Sequence, residues 1–128
     1  MKKGLIFAML ALSVILMTSC FRGTRASVDV TVKNKLGMTQ SNVEVCMFKA
    51  DTWSDFSHTP QNADKTSVTD LEGVATFELT TLDIMETVFD GKNTVYFVVF
   101  DREDNILGQV PQSVKMGQHY HVTLNYDR

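Results

Sequence analysis

Ser67-Val68-Thr69-Asp70-Leu71-Glu72-Gly73-Val74-Ala75-Thr76-Phe77-Glu78-Leu79-Thr80 holds two β-type runs and the turn between them. After Gly73 the chain alternates strictly. Ala75, Phe77 and Leu79 are apolar, while Thr76, Glu78 and Thr80 are polar. A period of two places one set on a buried sheet face and the other in water. Asp70 is suited to accept backbone hydrogen bonds within a turn, and Gly73 to take a positive φ at its end. The stretch therefore predicts a tight hairpin, with Thr66 to Asp70 and Val74 to Thr80 flanking Leu71-Glu72-Gly73.

The same punctuation runs through the rest of the chain. Upstream, Val28, Val30 and Val32 alternate with Asp29, Thr31 and Lys33, and Asn34-Lys35-Leu36-Gly37 breaks the run. Val43, Val45 and Met47 define the next strand, and the polar stretch from Ala50 to Lys65, with Pro60, reads as a loop. Downstream, Thr94 to Asp101 is the most hydrophobic segment, and Arg102 to Asn105 is its turn. Ile106 to Val110 stops at Pro111, which suits a sheet edge. His119 to Tyr126 places Tyr120, Val122, Leu124 and Tyr126 on one face. Seven candidate strands at roughly ten-residue spacing predict an all-β fold, a seven-stranded antiparallel Greek-key sandwich.

One segment has a different period. Ile84, Met85, Val88 and Phe89 recur at helical spacing, Asp83 and Glu86 fit a capping box, and Gly91 fits a C-terminal stop. This predicts one short amphipathic helix over 83–90. Such a helix has a place to pack. Val95 to Phe100 is apolar on both faces, and Cys46 and Phe48 point outward from their strand. An open sandwich would leave that surface in water, so the helix is expected to cover it. A partner protein is the other possible cover.

The N-terminus reads as an address. Lys2 and Lys3 precede an apolar run, Leu5 to Met17, that is short of the roughly 18–20 residues needed to span a bilayer. Met17-Thr18-Ser19-Cys20 resembles the lipobox of bacterial lipoproteins. That resemblance implies a signal peptide over 1–19, lipid on Cys20, a tether over 20–26 and a sandwich domain over 27–128. The tether reaches about 20 Å at full extension, so Arg22 and Arg25 are placed to meet anionic headgroups. Phe21 is not the aspartate of inner-membrane retention in enteric bacteria, and an outer-membrane, periplasm-facing location is expected. With Cys20 lipidated, Cys46 has no intramolecular partner and is read as a buried, inert thiol.

Val28-x-Val30-x-Val32-x-Asn34-x-x-Gly37, Val43-x-Val45 and Thr69-Asp70-x-x-Gly73-x-Ala75-x-Phe77 together resemble the transthyretin-like sandwiches, which include carboxypeptidase-regulatory-like domains. The resemblance implies a fold and little about function. The last strand, His119-Tyr120-His121-Val122-x-Leu124, is similar to the final-strand motif of the 5-hydroxyisourate hydrolases, whose catalytic histidine matches His121. That family's first-strand histidine falls on Thr31 and its turn arginine on Val74. Its terminal Tyr-Arg-Gly-Ser is replaced by Asn125-Tyr126-Asp127-Arg128. The hydrolase site is therefore incomplete, and no catalytic residue is assigned.

Removing Lys2 and Lys3 leaves ten Lys and Arg against fifteen acidic residues, a formal charge of −5 with no basic run. This excludes a nucleic-acid footprint. His119 and His121 leave the same strand face; they are read as solvated, with a shared metal ion as the alternative, because no third ligand is evident. No metal site and no cofactor are assigned. Asp101, Glu103, Asp104 and Asn105 lack the spacing of an EF-hand loop and read as a solvated turn. Trp53, Phe56 and His58, in the longest polar loop, are the candidate binding residues, or else they fold back onto the core. The expected function is a membrane-anchored binding or assembly module with an envelope protein or glycan partner. An envelope enzyme or metal-binding protein using His119 and His121 is the alternative.

Overall fold

A computed structural model describes residues 25–81, 83 and 93–127. It is a sandwich of two sheets. β1 (Arg25–Lys33), β4 (Val74–Thr80) and β7 (His119–Asn125) form one, in the order β4-β1-β7. β2 (Glu44–Lys49), β3 (Lys65–Val68), β5 (Thr94–Phe100) and β6 (Ile106–Ser113) form the other, in the order β3-β2-β5-β6. Alternation decides which side chains meet between them. Val28, Val30, Val32, Ala75, Phe77, Leu79 and Leu124 project from the first sheet onto Val45, Met47, Val95, Phe97 and Val99 of the second, all buried. Phe77 and Phe97 bridge the layers with ring centroids 5.1 Å apart.

The turn at Leu71-Glu72-Gly73 forms as its residues dictate, but it does not make a hairpin. Asp70 Oδ1 accepts the Glu72 and Val74 N–H groups, and Gly73 sits at φ +80°. β3 pairs with β2, however, and β4 pairs with β1, so the turn carries the chain from one sheet to the other. Local turn chemistry sets a tight reversal, and the sheet that receives the next strand is decided by tertiary packing. The antiparallel expectation also needs correction at one pairing. β1 and β7 run parallel, with Asp29 opposite His121 and Ser27 opposite His119.

Further boundaries differ from the sequence reading. β1 begins at Arg25, inside the segment read as tether, pairs there with Thr80, and buries Ala26. β6 continues through Pro111 to Ser113. It is an edge strand, so a missing N–H on its outer side breaks no ladder bond. The stretch from Ala50 to Lys65 contains a helix, α1 (Ala50–Asp55), and a 3₁₀ turn at Pro60–Asn62. Six residues with a single large apolar side chain show no helical period. Such a helix is marginal alone and is held by what Trp53 packs against.

The helix predicted over 83–90 lies outside the described residues except for Asp83. There the cap differs from the expectation. The Thr80 backbone N–H and hydroxyl both donate to Asp83 Oδ2, at 2.7 and 3.1 Å. This is the return half of a capping box in which Thr80 is the N-cap and Asp83 the third helical position.

The strand directions define two ends. β1 enters at Arg25 and leaves at Lys33, and the pairings place α1 and Gly117 at the entry end. The turns at 34–40, 69–73 and 101–105 lie at the far end.

Candidate functional site

The outer face of β1 and β7 gathers the chemistry. Asp29 alternates outward on β1, and His119 and His121 alternate outward on β7. Parallel pairing places the three on adjacent strands. His119 Nε2 lies 2.9 Å from Asp29 Oδ2, and His121 Nδ1 lies 3.6 Å from the same oxygen. The two imidazoles meet edge to face, with centroids 4.6 Å apart. Two further polar atoms of this group are held by neighbouring strands. Thr76 Oγ1 on β4 donates to Asp29 Oδ1 at 2.9 Å, and Ser27 Oγ is hydrogen bonded to His119 Nδ1. A carboxylate only accepts, so His119 Nε2 donates to Asp29 Oδ2, while the Ser27 hydroxyl, able to donate or accept, pairs with Nδ1 in either tautomer.

Sequence reasoning placed the two histidines together on the polar face, where they are. It missed Asp29, Ser27 and Thr76, which stand 90, 92 and 43 positions from His119 in the sequence. The only sequence signal was that all of them alternate outward. Strand pairing brings them together.

The three candidate binding residues separate into two roles. Trp53 on α1 stacks flat on Tyr96 of β5 and carries His58 on its other face. His58 Nε2 lies 2.8 Å from the Trp53 carbonyl oxygen, which fixes the ring over the indole. Phe48 meets Trp53 edge-on at 5.5 Å and Phe100 edge-on at 6.1 Å. This cluster roofs Cys46, Phe48 and Val98, the outer apolar face of the second sheet. Over these residues α1 and the chain after it provide a cover, while the segment after Asp83 expected to do so lies outside the described residues. Phe56 stays out, 61% exposed. Cys20 lies outside the described residues.

Cys46 is buried, and its Sγ faces Glu44 Oε1 at 3.8 Å. Burial, then the charge and hydrogen bond of Glu44, push the thiol up to about 12. A group held protonated at neutral pH is a poor nucleophile. The acidic turn is committed to its own backbone: Asp101 Oδ1 accepts the Glu103 and Asn105 N–H groups at 2.8 and 2.9 Å. The positions matched to the hydrolase site do converge, since Thr31 pairs with Val74 on one side and Thr123 on the other. They bring a hydroxyl and an isopropyl group to the place of an imidazole and a guanidinium.

The far end exposes apolar tips. Leu71 is 95% exposed, Leu36 81% and Met38 53%. An open groove of about 290 Å³ lies at the same end, lined by Asn34, Lys35, Leu107, Asn125, Tyr126 and Asp127.

No protein-family model and no curated protein matches the chain. Solved structures match it in fold. Part of the Bacillus anthracis TIE protein superposes with a TM-score of 0.53 at 10% identity, over 81% of this chain and 16% of that one. A DUF3823 family protein from Parabacteroides merdae superposes at 0.50 and 11% identity, over 82% of this chain and 47% of that one. BcpA, the major pilin subunit of Bacillus cereus, superposes at 0.51 and 8% identity, over 81% and 30%. The chain thus spans less than half the length of each. Identities this low speak to the β-sandwich fold alone.

Proposed function

We propose that the mature protein is a lipid-anchored envelope protein whose transthyretin-like sandwich acts as a binding or assembly module, and that it is not an enzyme. The observation that carries this reading is the short distance from Cys20 to Arg25, the first residue of β1. At full extension those five steps span about 18 Å, so a lipid on Cys20 would hold the entry end against the membrane. β1 is nine residues long, about 30 Å at strand rise. The far end, with Leu71, Leu36 and Met38, would then face away from the bilayer. Apolar tips on rigid loops are a common contact for partners, and they favour a protein over a glycan. The pilin role of BcpA supports an assembly reading by analogy of fold. Thr31 and Val74 support the non-enzymatic one, because the family's proton-transfer route needs groups they lack. An outer-membrane location facing the periplasm belongs to the same proposal.

Metabolic labelling with palmitate, followed by envelope fractionation of wild type and Cys20→Ser, tests the anchor. Label and membrane association should both be lost in the variant; label retained in it overturns the anchor. A photocrosslinking residue at position 71 in the native envelope should yield a discrete adduct. Adducts from position 56 and none from position 71 would reverse the presented end.

A further inference from the structure

We propose that Asp29, His119 and His121 bind a divalent transition cation of the zinc, copper or nickel class on the outer face of β1 and β7. Two imidazoles and a carboxylate are a donor set those cations accept, whereas calcium and magnesium prefer oxygen alone. The geometry is close to what binding requires. Metal–donor bonds of about 2.0–2.2 Å in a tetrahedron place donor atoms about 3.3 Å from one another. Here one ligand atom from each of the three residues lies within 4.8 Å of the other two, and the two separations from Asp29 Oδ2 are 2.9 and 3.6 Å. The Cα positions are set by two hydrogen-bonded strands, so only side-chain rotation is needed to close the set. The His121 side chain, 74% exposed, is free to make that rotation.

The outer contacts distinguish this cluster from a chance meeting of exposed groups. Thr76 holds Asp29 Oδ1, which leaves Oδ2 to face the histidines. Ser27 holds His119 Nδ1. With a cation on Nε2, the ring carries its proton on Nδ1 and Ser27 Oγ accepts from it. The same hydroxyl serves both states. Metal-bound histidines and carboxylates are commonly oriented by such second contacts, whose loss weakens affinity about 10- to 100-fold. Three donors leave one tetrahedral position open to solvent, available to water or to a donor atom from a partner.

The test uses the full chain in detergent, without a polyhistidine tag. Calorimetric titration with zinc should show one ion bound per chain. Cobalt should give the visible absorption of a tetrahedral nitrogen–oxygen site. Asp29→Asn, His119→Ala and His121→Ala should each lower zinc affinity at least tenfold. Ser27→Ala and Thr76→Val should lower it about tenfold while leaving the stoichiometry unchanged. All five positions lie on an outer sheet face, and unchanged thermal unfolding without metal would show that the variants fold. Absence of zinc binding by the wild-type chain overturns the proposal. So does binding that survives Asp29→Asn undiminished, since a histidine pair alone would then account for it.

Discussion

Trp53 lies flat on Tyr96, with ring centroids 4.7 Å apart and planes 10° apart. The contact joins a six-residue helix to the central strand pair of the larger sheet, and it closes the second apolar cluster of the molecule. Among the described residues, it is the main cover of Cys46, Phe48 and Val98 on the outer face of that sheet.

Trp53→Ala should therefore cost about 2–4 kcal/mol, near the range for large aromatic truncations in cores but reduced by its partial exposure. Phe56→Ala, three residues away and 61% exposed, should change stability by less than about 0.5 kcal/mol. Urea titration of the two variants measures both. Equal losses would mean that α1 does not roof the sheet through its indole.

Cys46 reports the same roof by chemistry. Its thiol is pushed up to about 12 by burial and by Glu44, so labelling at pH 8 must wait for local opening. A thiol reagent should modify the folded protein slowly, and Trp53→Ala should speed modification by at least tenfold. Rapid modification of the folded wild type would show that the face is open.

The alternation of β1, β4 and β7 was legible because each has one face on the core, and water selects polar residues for the other. Val28, Val30 and Val32 and Ala75, Phe77 and Leu79 are buried as their period requires. Pairing was not legible. Nothing local tells β4 to join β1 instead of β3, or β7 to lie parallel to β1, since these choices are settled by how two sheets close over one core. The candidate metal site was half legible for the same reason: His119 and His121 share a strand, whereas Asp29 reaches them only through the parallel pair. Trp53 and His58 were singled out as aromatic residues in a polar segment. Their stack on Tyr96 depends on a helix too short to show a period.

Two glycines separate backbone strain from steric clash. Gly73 and Gly37 have φ of +80° and +78°, so alanine meets a similar conformational penalty at both, about 1–2 kcal/mol. A Cβ at Gly37 would meet nothing within 4 Å, while at Gly73 it would lie 2.7 Å from Thr39 Cβ and 3.0 Å from the Gln40 nitrogen. Thr69 locks that neighbourhood further by donating to the Gln40 carbonyl and accepting from the Val43 N–H. Gly73→Ala should thus be the more destabilising by at least about 1 kcal/mol. Equal thermal shifts would mean that the two far-end turns separate at little cost.

Asp83 gives the fold a defined acid response. Burial alone would raise its pKa, but the Thr80 N–H and the Lys65 ammonium, 3.1 Å away, favour the ionised form and hold it below the usual 3.8. A carboxyl whose folded pKa is lower than its unfolded one stabilises the protein at neutral pH. That contribution is complete above the unfolded value and is lost as pH falls through the folded one. Asp83→Asn should therefore lower the unfolding midpoint at pH 7, by an amount worth less than about 1 kcal/mol because solvent screens the pair. The gap between wild type and variant should narrow as pH drops below 3.8. Lys65→Met should lower stability at pH 7 as well, and in that background Asp83→Asn should have a smaller effect, because the ion pair is already gone. Thermal unfolding of the four proteins from pH 7 to pH 2.5 reads the cycle. A gap that stays constant over that range would show that the Asp83 carboxylate charge contributes nothing to the end of β4.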